Sequence, residues 1–212
     1  MTLAQFDIGD RNVDTQFVSS PYFQLPTSEW RSTTLALINE HPLNHDELVE
    51  VILKCWDDIF TTTIAGRLRV GDDVKFSPQM MANFLDELIP VELAERYPQM
   101  WRRQAAKHEK DLVCIQNDFY STEIKCSSSA NDIFANRSYA QPSAPGTKPK
   151  DGFYIAVNFQ GFALTSTPRI TRIKLGWLDH TDWIPQASAT GQQARLTPES
   201  KASKLIQLYP KS

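Results

Sequence analysis

Cysteine is scarce: three residues in 212 are too few to staple a small fold. Cys55, Cys114 and Cys126 are odd in number and lie in or beside apolar patterns. None has the spacing of a zinc ligand, so they read as buried free thiols of a reducing compartment. Long apolar runs are missing as well. No stretch of 18 apolar residues occurs, so no membrane-spanning helix is expected and no membrane partner. Residues Met1 to Asp10 lack a basic segment followed by an apolar one. No signal peptide is therefore expected, and a cytoplasmic location is. Charge of one sign is also lacking overall. The net value of −3 would by itself argue against a polyanionic partner.

Charge distribution reverses that impression. Residues 1–100 carry 7 basic and 16 acidic side chains, whereas residues 101–177 carry 11 basic and 6 acidic ones. A basic excess concentrated in one segment suits a nucleic-acid backbone. With 41% hydrophobic and 22% charged residues, the chain has the composition of an ordered globular protein. Its length fits a single domain, residues 1–212, with a mainly helical part (1–100) and a sheet-bearing part (101–212).

The basic segment contains the most informative stretch, Asp111 to Ser129. It reads as two short strands around Gln116-Asn117-Asp118. Pairing Ile115 with Phe119 sets Asp111 opposite Glu123. Glu123 and Lys125, two apart on a strand, then share one face while Ile124 faces the core. Opposed side chains lie only ~5 Å apart. Two neighbouring carboxylates resist joint ionisation unless a positive charge sits between them. A hard divalent cation such as Mg²⁺ meets that need with a few carboxylate oxygens, water and phosphate. A lysine beside it can orient or deprotonate water, or stabilise charge on phosphorus oxygens. Metal-assisted phosphodiester hydrolysis follows from those parts. Glu92 and Glu95 precede the hairpin and are candidates for an extra carboxylate.

Elsewhere the pattern is less directed. A short helix is expected from Trp30 to Ile38 with Ser28 as its cap. His41 and His45 are four apart, but Pro42 and Asn44 break any helix that would align them. Asn44 and Glu47 resemble a capping box that opens a helix to about Phe60. A strand pair is expected over Arg67–Val70 and Val74–Phe76. Ser77-Pro78 begins another helix, and Pro90 and Pro98 divide the stretch C-terminal to its start. A further helix is expected from Gln99 to Lys110. Some helix is expected between Ser127 and Gln141, and the proline-rich segment from Gln141 to Gly152 reads as a mobile loop. Gly152 to Phe159 is apolar on both faces, the mark of a central strand. Pro168 to Trp177 is a second strand, with Arg172 and Lys174 forming a basic stripe. Asp179, His180 and Asp182 could ligate a metal, although a turn with local hydrogen bonds explains them more simply. Thr190-Gly-Gln-Gln-Ala-Arg195 holds residue types that read base edges. Thr197-Pro198 caps a last helix docked by Leu205, Ile206 and Tyr209.

An acid-x-lysine triplet is weak evidence on its own. Chance gives about one match in a chain of this composition, and three occur: Asp73-Val-Lys75, Glu123-Ile-Lys125 and Glu199-Ser-Lys201. Only the second lies on an expected strand with an upstream aspartate in hairpin register. Asp111 followed by Glu123-Ile124-Lys125 resembles the PD-(D/E)XK nuclease superfamily. Ser121 to Ser129, Asn136 to Gln141, Gly152 to Phe159 and Gly176 to Trp183 extend the likeness to type II restriction endonucleases, most of all the ScaI family. The resemblance covers about residues 105–209. It implies an α/β (α+β) restriction-endonuclease-like fold, a mixed central sheet flanked by helices. It also implies a homodimer on palindromic double-stranded DNA and Mg²⁺-dependent cleavage. Carried over by position, Asp111, Glu123 and the backbone carbonyl of Ile124 are the metal ligands. Lys125 is the water-orienting or charge-stabilising residue. Lys110 stands where the superfamily has proline, which leaves Asp118 as a rival to Asp111. Asn136, Arg137, Lys174, Gln192 and Gln193 are the candidate DNA contacts. The sequence-specific endonuclease is weighed against a repair or recombination nuclease of the same fold, and against a DNA-binding protein without catalysis.

Overall fold

A computed structural model of the chain describes residues 20–188 and 190–211. Three helices come first: α1 (Thr27–Glu40), α2 (His45–Thr61) and α3 (Pro78–Arg96). The Asn44 side chain accepts from the backbone N–H groups of Asp46 and Glu47, which fixes the start of α2 as the sequence suggests. Ser77 does the same for α3 by accepting from Met80 N. Between them, β1 (Thr63–Ile64) pairs with β2 (Leu68–Arg69); the expected pairing of Arg67–Val70 with Val74–Phe76 survives only as an isolated Val70–Val74 bridge. Helix α1 is longer than expected at both ends and starts after Pro26, so Ser28 lies inside it rather than capping it.

The remaining elements are mostly strands. They are β3 (Trp101–Arg103), β4 (Leu112–Cys114), β5 (Thr122–Ser127), β6 (Phe134–Asn136), β7 (Gly152–Phe159), β8 (Ile170–Leu178), β9 (Trp183–Pro185), β10 (Gln193–Leu196), the short helix α4 (Pro198–Ser203) and β11 (Leu205–Tyr209). Six of the strands form a central sheet in the order β11-β8-β7-β5-β4-β3. Only β5 and β7 run parallel, and the other neighbours are antiparallel, so the sheet is mixed as expected. A second sheet, β6-β10-β9, lies in the connection between β5 and β7 and in the C-terminal third.

Alternation along the strands assigns the two faces. Ile124, Ile155, Leu175 and Val157 turn to one side and share a core with Leu48, Ile52 and Ile59 of α2 and with Leu85 and Ile89 of α3. Tyr154 and Ala156 turn to the other side, against Ala135, Trp183, Ala194 and Leu196 of the second sheet. Glu123 and Lys125 belong to that second face by register. At Gly176 the β11 backbone comes so close that a Cβ would lie 1.8 Å from the Lys204 carbonyl oxygen; only glycine fits there.

Several expectations give way to tertiary packing. Pro90 lies inside α3, which continues to Arg96. Gln99 to Lys110 holds β3 and a turn instead of a helix. Trp101 is buried there, stacked on His41, and the Glu109 carboxylate accepts from the backbone of Ala105 and Ala106. Between Ser127 and Gln141 the chain makes β6 and a 3-10 turn, Arg137–Ala140. Leu205, Ile206 and Tyr209 belong to β11, paired to β8, and not to the helix. The two histidines do not meet as ligands. His41 Nε2 contacts the Tyr120 carbonyl and Thr122 Oγ1, and His45 Nε2 the Ile38 carbonyl. Burial accordingly lowers the His41 pKa to about 4.

Candidate active site

The β4–β5 hairpin has the register read from the sequence. Leu112 pairs with Thr122, which places Asp111 and Glu123 as the next pair outward. The loop differs from the expected three residues. Ile115 donates its N–H to the carbonyl of Met100, just before β3, instead of pairing with Phe119, and residues 118–120 form a 3-10 turn capped by Asn117. Asp118 closes that turn by accepting from Ser121 Oγ at 2.8 Å and is exposed. Of the two aspartates it is Asp111 that meets Glu123.

Each carboxylate uses one oxygen for internal support. Asp111 Oδ2 accepts from the backbone N–H of Ile124 at 2.8 Å. Glu123 Oε1 accepts from Lys125 Nζ at 2.5 Å and from the Tyr139 hydroxyl at 2.6 Å. The other oxygens converge. Asp111 Oδ1 and Glu123 Oε2 lie 2.7 and 3.0 Å from the ammonium of Lys148, which arrives from the segment between Gln141 and Gly152. Lys125 Nζ also donates to the Ile124 carbonyl at 3.2 Å and sits 5.1 Å over the Tyr139 ring.

Glu123 is almost wholly buried. Burial alone would raise its pKa, but Lys125, Lys110 and Lys148 overrule that and hold it at about 2. Lys125 is the mirror case. Burial opposes its charge, yet Glu123, Tyr139 and Asp111 keep it an ammonium with a pKa above the ordinary lysine value. Lys110 is buried behind them, with Nζ lacking a hydrogen-bond partner and lying 5.1 Å over the Tyr154 ring. Burial lowers its pKa to about 8. Gly152, at φ +135°, leaves it room; a Cβ would fall 3.0 Å from Lys110 Cε and Nζ.

The donor set suits a hard divalent cation. Two carboxylate oxygens already face one positive charge, and a backbone carbonyl stands beside them. One more carboxylate lies near the pair, although among the described residues no three acidic, histidine or cysteine side chains group closely enough to hold a metal. Asp86 on α3 borders a cavity of about 380 Å³ with Asp111 and a second cavity with Lys125. Its Oδ1 is shut off from solvent without a partner, and burial raises its pKa to about 6 although Cys126 hydrogen-bonds to it. Glu92 is turned away, paired with Lys54 and Arg96, and Glu95 is exposed.

A buried glutamate, a lysine two residues on and an aspartate across a hairpin thus meet on a mixed sheet, the two carboxylates sharing the Lys148 ammonium. The family model of the ScaI restriction endonuclease matches residues 20–209 of the chain. The type II restriction enzyme ScaI of Streptomyces caespitosus is 40% identical over 193 residues, 90% of this chain and 85% of that protein. The chain belongs to the ScaI restriction endonuclease family.

In this ScaI-family chain the candidate DNA contacts divide into two groups. A cleft of about 530 Å³ runs from Lys125 past Ser127, Ser128 and Ser129 to Asn136 and Gln193. Asn136 and Gln193 are cross-strand partners on β6 and β10, and both are exposed. Arg137 is occupied nearby, its guanidinium donating to the carbonyls of Ser188 at 2.7 Å and Gly191 at 3.2 Å. Gln192 donates to Thr190 in the same turn. Lys174 does not join the cleft. It is buried and bonded to Asn131 Oδ1 at 2.9 Å, while Arg172 holds the Ala130 carbonyl. The basic stripe therefore braces a turn. Asp179, His180 and Asp182 also form a turn, closed by the Asp182 carboxylate accepting from Asp179 N. Sequence reasoning passes over Lys148, Tyr139 and Asp86 as site residues. Lys148 lies in a segment without periodicity, and Asp86 lies in a helix whose pattern reads as purely core.

Proposed function

We propose that this chain is a sequence-specific type II restriction endonuclease that hydrolyses phosphodiester bonds of double-stranded DNA with Mg²⁺. It would act as one nuclease domain per protomer, in the cytoplasm, and as a homodimer whose symmetry matches a short palindromic site. The observation that carries this reading is the convergence of Asp111 Oδ1 and Glu123 Oε2 on a single positive charge, with Lys125 alongside. Family membership supports it. So does the excess of basic over acidic residues between positions 101 and 177.

Asp111, Glu123 and the Ile124 carbonyl would hold the Mg²⁺. When bound, the ion supplies Lewis acidity at phosphate oxygens and makes a water molecule easier to deprotonate. Lys125 remains charged against Glu123, so its part is to donate: it orients the attacking water or neutralises charge building on the phosphoryl oxygens. Tyr139 fixes the Glu123 carboxylate from behind, as an outer hydrogen bond to a ligand does. Asn136 and Gln193 would reach base edges, where an amide can pair with adenine in two places. Arg137 and Gln192 would shape the adjoining turn.

Incubation of plasmid DNA with the protein and Mg²⁺ should give discrete, mappable fragments, and EDTA should prevent them. Smeared products, a preference for branched substrates, or DNA binding with no cutting would reject the restriction reading. Tyr139→Phe removes one hydrogen bond and little volume. Cleavage by this variant should fall about 10–100-fold, as measured by initial rates of plasmid linearisation at saturating DNA.

A further inference from the structure

Lys148 is the least expected member of the site. Each of the two carboxylates commits one oxygen to the scaffold, and among the described residues Lys148 alone engages both of the remaining oxygens. It also belongs to no strand or helix. Its segment is laced by its own hydrogen bonds: Lys150 N to Ser143 Oγ, Thr147 N to the Ala144 carbonyl, and the Tyr154 hydroxyl to the Lys150 carbonyl. None of these involves the Lys148 side chain, so the ammonium can leave without unpairing the sheet. It is 21% exposed, so the ammonium is not sealed inside the protein.

We propose that Lys148 is a placeholder cation: its ammonium occupies the position between Asp111 and Glu123 until a divalent ion displaces it, and the freed ammonium then binds the DNA backbone. This rests on the reading of Asp111 and Glu123 as metal ligands. The physical basis is exclusion. An ammonium and a hard divalent ion compete for the same two oxygens, and two cations held that close repel. Occupancy by Lys148 therefore lowers the apparent metal affinity of the free protein. A phosphate that attracts the ammonium raises it again, and metal and DNA reinforce each other's binding to the same extent. The protein without DNA stays weakly loaded, and its two carboxylates are never left facing each other bare.

Calorimetric titration of Mg²⁺ and of Ca²⁺ into the full chain without DNA tests the competition. Lys148→Met keeps the stem and removes the charge, and should bind either ion about tenfold more tightly than the wild type. Lys148→Arg keeps the charge and should stay weak. Glu123→Gln should bind neither ion. Unchanged or weaker affinity in Lys148→Met, with Glu123→Gln inactive in binding, would overturn the placeholder and leave the metal-site reading standing. Wild-type affinity in Glu123→Gln would overturn the metal site itself. For the second half, Ca²⁺ should strengthen plasmid binding more in the wild type than in Lys148→Met. An equal gain in both would reject the transfer of Lys148 to phosphate.

Discussion

Glu123→Gln is expected to lose Mg²⁺-dependent cleavage by on the order of 10²–10³-fold or more, while gel shifts still register DNA binding. The amide oxygen can accept the Tyr139 hydrogen bond and fills the same space, so the loss would report on charge. Glutamine gives no negative oxygen to a cation and no counter-charge to Lys125, which is bonded to Glu123 at 2.5 Å. Folding should feel the change too. Lys110, Lys125 and Lys148 are stabilised by a carboxylate that the variant lacks, and the acids that remain nearby, Asp111 and Asp86, replace it only in part. The acid limb of stability gives the sign. Unfolded Glu123 takes up a proton near its ordinary value of 4.5, but native Glu123 resists until about 2. Its contribution is therefore complete above about pH 4.5 and is lost as pH falls through that window. Urea midpoints measured from pH 5 to pH 2 should slope less in the variant. Undiminished cutting by a folded Glu123→Gln protein would sink the site assignment.

Lys204→Ala is expected to cost about 3–5 kcal/mol of stability without touching the candidate site. Lys204 is 2% exposed. Its ammonium donates to Asp179 Oδ2 at 2.8 Å and to Asp182 Oδ2 at 3.0 Å, and lies 4.0 Å over the Tyr22 ring and 4.3 Å over that of Trp30. Burial raises the Asp179 pKa despite the lysine beside it, and removal of the lysine would leave two buried carboxylates facing each other. Tyr22 and α1 are tied to β8 and α4 at this point, through the Tyr22 hydroxyl on the Trp177 carbonyl and Thr34 on the Ser203 carbonyl. The cost should therefore appear in global unfolding by urea. Lys204→Met combined with Asp179→Asn and Asp182→Asn should recover much of it, because the buried charges go together. A single-variant loss below about 1 kcal/mol would show that this cluster behaves like a surface ion pair.

The two lysine-centred clusters use the same electrostatics and are not equally legible. Residues 179–182 suggest a turn at least as strongly as a metal site, because short polar side chains hydrogen-bond their own backbone, and the turn is what forms. Lys204 lies in an expected helix-to-tail segment with no sign that it would be the turn's buried counter-ion. Its partners lie 22 and 25 residues away, a separation that no local pattern encodes.

The core of the candidate site is legible for a specific reason. Side-chain period on a strand is two, so one hairpin pairing fixes every other pair. Asp111, Glu123 and Lys125 come from that arithmetic, even though the three-residue loop expected between the strands is wrong. The central strand Gly152–Phe159 and the caps Asn44 and Ser77 are also local matters, decided by apolar composition and by side-chain oxygens able to reach free backbone N–H groups. Packing overrides only local preferences of modest size. Pro90 removes one helical hydrogen bond, yet α3 continues through it because Ile89 and Leu93 are buried in the shared core. Trp101 leaves a helical pattern for an edge strand where it stacks on His41.

By itself, then, the sequence determined the hairpin register, the acidic pair with its lysine, and the central strand, because each depends on spacings of a few residues. Tertiary structure alone decided that Lys148 fills the gap between the carboxylates, that Asp86 shares a cavity with Asp111 from a helix, and that Lys174 braces a turn away from the cleft. Those side chains meet the site through loops and layers, where distance along the chain carries no information about distance in space.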